Sequence, residues 1–166
     1  MSLLIKAVKN NQPMSVRLLL EMGGDPNELD TNGRTALHWA VRNNSIDIVK
    51  LLLSEGANPN AIDIHSEPPV FHSILNGDFD IFRELIFAGT ESTFYKNTYR
   101  ERSLLELAVS ANQIKMVQFL IEKGAIIDVS KNIKPIEICI CDNLVNIFKL
   151  LSQSNVMINI EKKHII

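Results

Sequence analysis

Apolar residues recur along this chain in short bursts with helical spacing, each burst ending in a polar turn. Leu4, Ala7 and Val8 lie on one helical face, with Lys6, Lys9 and Asn10 polar around them. The pattern is clearest from Asn32 to Asn60. There, Thr35-Ala36-Leu37-His38 opens a short apolar helix closed by Asn44, and Ile46 to Glu55 forms a second one closed by Gly56. Ala57-Asn58-Pro59-Asn60 then turns the chain outward. Equivalent heptapeptides begin at Ser2, Thr35 and Pro68, about 33 residues apart, and again at Ser103 and Lys134.

Three columns fix the register. The sixth place of each heptapeptide is small (Ala7, Ala40, Ser73, Ala108, Cys139), as close approach of two helix backbones requires. Further on stand Asn11, Asn44, Gly77, Asn112 and Asn143, then Gly23, Gly56, Gly89, Gly124 and Asn155. Asparagine and glycine tolerate the left-handed conformation that closes a helix. The pattern predicts helices over Leu3–Lys9, Pro13–Met22, Phe79–Ala88, Leu104–Ala111, Ile114–Lys123, Pro135–Cys141 and Leu144–Ser152, besides the pair around Trp39. Ser2 is a candidate N-cap, and Pro13 and the Pro68-Pro69 pair suit first turns. Glycine in Asp30-Thr31-Asn32-Gly33 is placed for a positive φ.

Thr35-Ala36-Leu37-His38-Trp39-Ala40 departs at one place from the T-P-L-H-x-A signature, and Gly23-Gly24-Asp25-Pro26-Asn27 and Gly56-Ala57-Asn58-Pro59-Asn60 match a G-A-D-x-N closing turn. With the period, these residues resemble the ankyrin repeat, and the resemblance spans essentially the whole chain. It implies an all-α fold of stacked helix-turn-helix pairs with projecting β-hairpin-like arms. It also implies one domain over 1–166, with five repeats at about 1–30, 31–63, 64–98, 99–129 and 130–160 and an incomplete first unit. Thr35 and His38 match the family's hydrogen-bonded pair. Ile5, Phe71, Glu106 and Glu137 replace that histidine elsewhere, so those turns are expected to be held less firmly. Trp39 fills the variable place, either partly buried between helices, which its size favours, or on the concave face.

Net charge narrows the partners. At −2 overall, the chain lacks the basic surface that nucleic acids require. No early segment reads as a signal peptide and no apolar run is long enough for a bilayer, so a cytoplasmic site, in the chain's own or a host cell, or a nuclear one, is expected. Cys139 and Cys141, two apart on a helix, do not face each other, which argues against a disulfide or metal pair and for a reducing compartment.

Catalytic and cofactor signatures are missing. There is no phosphate-binding glycine loop or nucleophile elbow, and Gly23-Gly24 is a helix end. His65, His72 and Cys139 lack the spacing of a metal site. The expectation is therefore a non-enzyme without metal or cofactor, whose work is done by its surface.

The segment from Gly89 to Ser103 is two residues longer than its counterparts and interleaves Phe94, Tyr95 and Tyr99 with Lys96, Arg100 and Arg102. It is either a longer hairpin whose aromatics pack on a neighbouring arm or an interface patch of aromatic and arginine anchors. By the resemblance, partners meet the arm tips and the inner-helix face. Carried over by position, these are Thr31, Asn32, Arg34, Arg42 and Asn43, then Ile64, His65, Glu67, Leu75 and Asn76, then Tyr99, Arg100, Arg102 and Ser110, then Ser130, Lys131 and Ile133. Tyr95 joins them from the insertion.

The resemblance implies a protein-binding module and a monomer. Small stand-alone members of the family include cyclin-dependent kinase inhibitors and viral or parasite relatives of the inhibitors that sequester NF-κB factors. This chain is similar to the latter in being all repeat, and its many Ile, Asn and Lys codons fit an AT-rich genome. The alternative is an assembly subunit that buries Ile64, Leu75, Ile133 and Ile165-Ile166 by association.

Overall fold

Each first helix ends where its Asn or Gly column falls. In the structure, a computed structural model that describes residues 2–90, 95–97, 100–125 and 145–153, α1 spans Leu3–Lys9, α3 Ala36–Arg42, α5 Pro69–Asn76 and α7 Leu104–Ser110. Asn11, Asn44, Gly77 and Asn112 follow at φ of 52°, 58°, 73° and 56°. The positive φ turns the next two N–H groups back onto the helix. Asn44 N–H donates to Val41 O and Ser45 N–H to Ala40 O, both at 3.0 Å, and the other first helices close the same way. The small sixth residue thus supplies the carbonyl that receives the closing bond. Replacing Asn44 by valine should cost about 1–2 kcal/mol, because a β-branched residue is strained at positive φ. Glycine there should leave the denaturation midpoint nearly unchanged; equal losses for both would contradict this account.

The second helices are α2 (Pro13–Glu21), α4 (Ile46–Ser54), α6 (Phe79–Phe87) and α8 (Ile114–Glu122). Each stops one residue before its predicted end. Met22, Glu55, Ala88 and Lys123 are caps, and Gly23, Gly56, Gly89 and Gly124 carry the positive φ beyond them. α9 spans Val145–Gln153. Expected features on Pro135–Cys141, Asn143, Asn155 and the C-terminal end lie outside the described residues.

Between Gly89 and Ser103 the structure has a short antiparallel ladder. β1 (Tyr95–Asn97) pairs with β2 (Arg100–Arg102) in the register Tyr95↔Arg102 and Asn97↔Arg100. The described part of the longer connection is thus an antiparallel strand pair.

The chain divides into two compact units, Met1–Arg102 and Ser103–Ile166. In the first, α1, α3 and α5 pack side by side and each rests on its own second helix, while α2, α4 and α6 form the layer behind. Leu37, Ala40, Val41, Ile48, Leu52 and Phe82 are sealed between the layers. Each fully buried Leu, Ile or Phe contributes roughly 1.5–3 kcal/mol. In the second unit α7 packs on α8, and α8 on α9.

Asparagines lace successive turns of the first unit together. Asn27 Nδ2 donates to Gly56 O and Asn60 Nδ2 to Gly89 O, both at 3.0 Å, while Asn58 N–H donates to Asn27 Oδ1 at 2.7 Å. These are the asparagines of the closing turn.

One expectation is corrected. The turn leading into α7, which lacks the Thr-His pair, is firmly held. Ser103 Oγ accepts from Glu106 N–H at 3.1 Å, and Glu106 Oε2 accepts from Ser103 N–H at 3.0 Å. This reciprocal box satisfies two N–H groups at the helix start, and Ser-x-x-Glu is its sequence signature. Ser2 does cap α1, accepting from Leu4 N–H.

Candidate interaction face

The arms are built around two aspartates that recur with the repeat. Asp30 Oδ1 accepts from Asn32 N–H at 2.8 Å and Arg34 N–H at 3.0 Å. Asp63 Oδ1 does the same for His65 at 2.8 Å and Glu67 at 3.1 Å. Gly33 and Ser66 take the positive φ of each turn, 70° and 60°. A Cβ on Gly33 would lie 3.3 Å from Ile64 N, whose N–H donates to Asn32 O at 3.0 Å, so neighbouring arm tips are bonded through backbone.

Arg34 joins the two arms. Its Nε donates to Asp63 Oδ2 at 3.1 Å, with the arginine side chain 13% exposed and the aspartate 0%. Burial raises the Asp63 pKa, but the Glu67 and His65 N–H groups and the Arg34 guanidinium outweigh it and hold the carboxyl below its usual value. Asp30 behaves alike. Burial opposes ionisation there, and the Arg34 and Asn32 N–H groups, Trp39 and Lys9 overcome it.

Thr35 and His38 form the expected pair. His38 Nδ1 lies 3.1 Å from Thr35 N and 2.9 Å from Thr35 Oγ1. Because the backbone N–H can only donate, Nδ1 is an acceptor. The ring proton is then on Nε2, which donates to Glu67 O at 3.1 Å. Burial drives the His38 pKa down to about 4, despite the Glu67 carbonyl and the Asp63 charge, so the ring is neutral at physiological pH.

Trp39 stands half-buried on α3 among cations. Its Nε1–H donates to Asp30 Oδ2 at 2.9 Å. Lys9 Nζ lies 4.0 Å from the ring centre, and the Arg34 and Arg42 guanidinium carbons both lie 5.5 Å from it. Lys9 also reaches Asp30 at 3.4 Å.

The residues expected at an interface divide into groups. Thr31, Asn32, Ile64 and His65 are exposed at arm tips, and Arg42 and Leu75 are exposed on α3 and α5. Ile64 at 61% and Leu75 at 53% are large apolar side chains left in water. Arg34 and Glu67 are half-buried, and Arg34 is committed to Asp63. Asn43 and Asn76 bond back into the preceding unit, Asn43 Nδ2 to Val8 O at 2.9 Å and Asn76 Nδ2 to Val41 O at 3.3 Å. Ser110 Oγ donates to Glu106 O within its own helix at 2.9 Å. Tyr95, Arg100 and Arg102 lie in the β1–β2 ladder, where only backbone is described, while Tyr99, Ser130, Lys131 and Ile133 lie outside the described residues. Sequence reasoning passed over Asp30, Asp63 and Lys9; the identical place of the two aspartates in successive repeats was the available signal.

Asp63, Glu67 and His72 bring ligand-type atoms within 4.8 Å of one another. Both Asp63 oxygens are already engaged, one with two N–H groups and the other with Arg34. A divalent cation there would sit beside a guanidinium, which disfavours it. Burial and the charge of Asp63 raise the Glu67 pKa. His72 is pushed toward the neutral form by burial and by Arg34 and Arg42, and its Nε2 is buried without a hydrogen-bond partner among the described residues.

These features define a class: helix-pair repeats, capped by Asn and Gly, with arms tied by aspartates. A family model described as ankyrin repeats (3 copies) matches residues 1–63 and 70–163, and the chain belongs to the ankyrin-repeat family. No curated protein matches it. Ankyrin repeats generally mediate protein–protein interaction. No helix among the described residues is long and apolar enough to cross a membrane.

Proposed function

We propose that this chain is a non-catalytic, five-repeat protein that inhibits by occupancy, binding a partner protein through the arm tips and the exposed side of α1, α3 and α5. The observation that carries the reading is the exposure of Ile64 at an arm tip and of Arg42 and Leu75 on α3 and α5, helices whose other sides are packed, with half-buried Trp39 also on α3. Apolar, aromatic and arginine side chains together are the usual energetic centre of an interface. Covering a partner's surface suffices for inhibition of the kind performed by the NF-κB-sequestering members of the family, and needs no reactive group.

Hydrogen exchange on the complex with a cross-linked, isolated partner tests this. Protection should fall on residues 31–34, 64–67 and the α3 and α5 segments that carry Arg42 and Leu75. Protection confined to α2, α4 and α6, or the lack of any partner, would refute it. The exposed Ile64 and Leu75 also suit an assembly subunit. Sedimentation decides between the two readings: a monomer at high concentration is expected, and concentration-dependent association would favour assembly.

A further inference from the structure

Charge around Trp39 is unbalanced. Three cations, Lys9, Arg34 and Arg42, gather at one indole ring. Asp30 and Asp63 answer them and are sequestered, and the half-buried Glu67 adds its charge beside Arg34. The Asp30 side chain is 4% exposed and that of Asp63 0%. Asp30 already takes two backbone N–H groups, the indole N–H and Lys9, while Asp63 takes two backbone N–H groups and Arg34. Neither reaches Arg42, which is exposed and makes no ion pair among the described residues. Lys6, one turn before Lys9 on α1, adds a further exposed cation. The surplus runs against the chain as a whole, whose net charge is −2.

We infer that this face is a docking site for an acidic segment of a partner protein, whose carboxylates meet Arg42 and Lys9 while an apolar residue covers Trp39 and Leu75. The inference rests on the binding-module reading and adds the chemistry of the partner. Arginine and an aromatic face together favour a planar carboxylate. An acidic polypeptide is favoured over nucleic acid because the cations form a small cluster about one indole ring and the next repeat exposes apolar Ile64 and Leu75, whereas a phosphate backbone calls for a longer basic stripe.

Trp39 is the chain's single tryptophan, so its fluorescence reports on this face alone. The full chain is titrated with a short peptide of Glu, Asp and Leu, with its Gln and Lys counterparts, and with single-stranded oligothymidylate. The acidic peptide should change the emission saturably. Its affinity should fall with added salt and drop at least about tenfold in Arg42→Glu. Arg17→Glu, the same charge change at an exposed place on α2, should bind like the parent. Circular dichroism confirms that both variants fold. Equal binding of the Gln peptide would overturn the inference while leaving the binding-module reading intact. Tighter binding of the Lys peptide or the oligonucleotide, or no loss in Arg42→Glu, would overturn it too. So would silence toward every probe, and if a protein partner still protected this face from exchange, the module reading would survive that failure.

Discussion

Replacing Asp63 by alanine should destabilise the first unit by about 3–5 kcal/mol, among the largest effects a single substitution can have in this chain. Asp63 holds two N–H groups of its own arm and the guanidinium of the preceding one. Alanine leaves all three without their acceptor. Arg34, 13% exposed, would then be a poorly hydrated cation that has lost its hydrogen-bonded counter-charge. Asp63→Asn separates the contributions: the amide oxygen can still accept from His65 and Glu67, while the ion pair and hydrogen bond to Arg34 are lost. Chemical denaturation should therefore rank the proteins parent, Asp63→Asn, Asp63→Ala. Equal stability of parent and alanine variant would mean that the arms are not held through this carboxylate.

The second large effect is a dependence of stability on pH that originates at His38. The ring pKa is 6.5 when exposed and about 4 when folded. Between those values the unfolded chain binds the proton and the folded chain does not, so stability rises with pH. The contribution is complete above pH 6.5 and is lost as pH falls toward 4. A shift of this size corresponds to roughly 3 kcal/mol. His72, whose pKa is also lowered, acts in the same direction. Asp30 and Asp63 are held below the ordinary carboxylate value of 3.8, so their contributions fail only at lower pH, clear of the histidine window. Urea unfolding from pH 7.5 to pH 4.5 should show a steep loss in the parent and a much shallower one in His38→Gln, the remaining slope being the balance of His72 and of Glu67, whose raised pKa acts in the opposite direction. Parallel slopes would show that the imidazole is not desolvated.

How far the structure could be read in advance follows from the range of each signal. Asn44 and Gly56 announce helix ends because the left-handed conformation selects few residue types, so a single letter carries the information. Ala40 announces close packing for the same reason. Arg34 carries no such mark: its partner Asp63 is distant in sequence, and only the repeat superposes the two arms. Asn43 and Asn76 are surface residues, as read, but their bonds to the carbonyls of Val8 and Val41 could not be foreseen. Main-chain acceptors leave no trace in side-chain identity. The Ser103–Glu106 box was legible as a local motif, and was obscured by comparison with Thr35 and His38. The cluster at Trp39 draws one cation from α1, one from an arm and one from α3 itself, and no periodicity within a single helix joins them.

The asparagine stitches in the closing turns have a bearing on how such a chain can change over time. Asn27 does for Gly56 what Asn60 does for Gly89, at the same 3.0 Å. Each joint is therefore made of the same two parts. If residues 28–60 were excised, Asn27 would stand where Asn60 stood, with the Gly89 carbonyl as its new acceptor. Loss or duplication of a whole unit therefore conserves this seam, while other changes of length fall in the arms, as the two extra residues between Gly89 and Ser103 show.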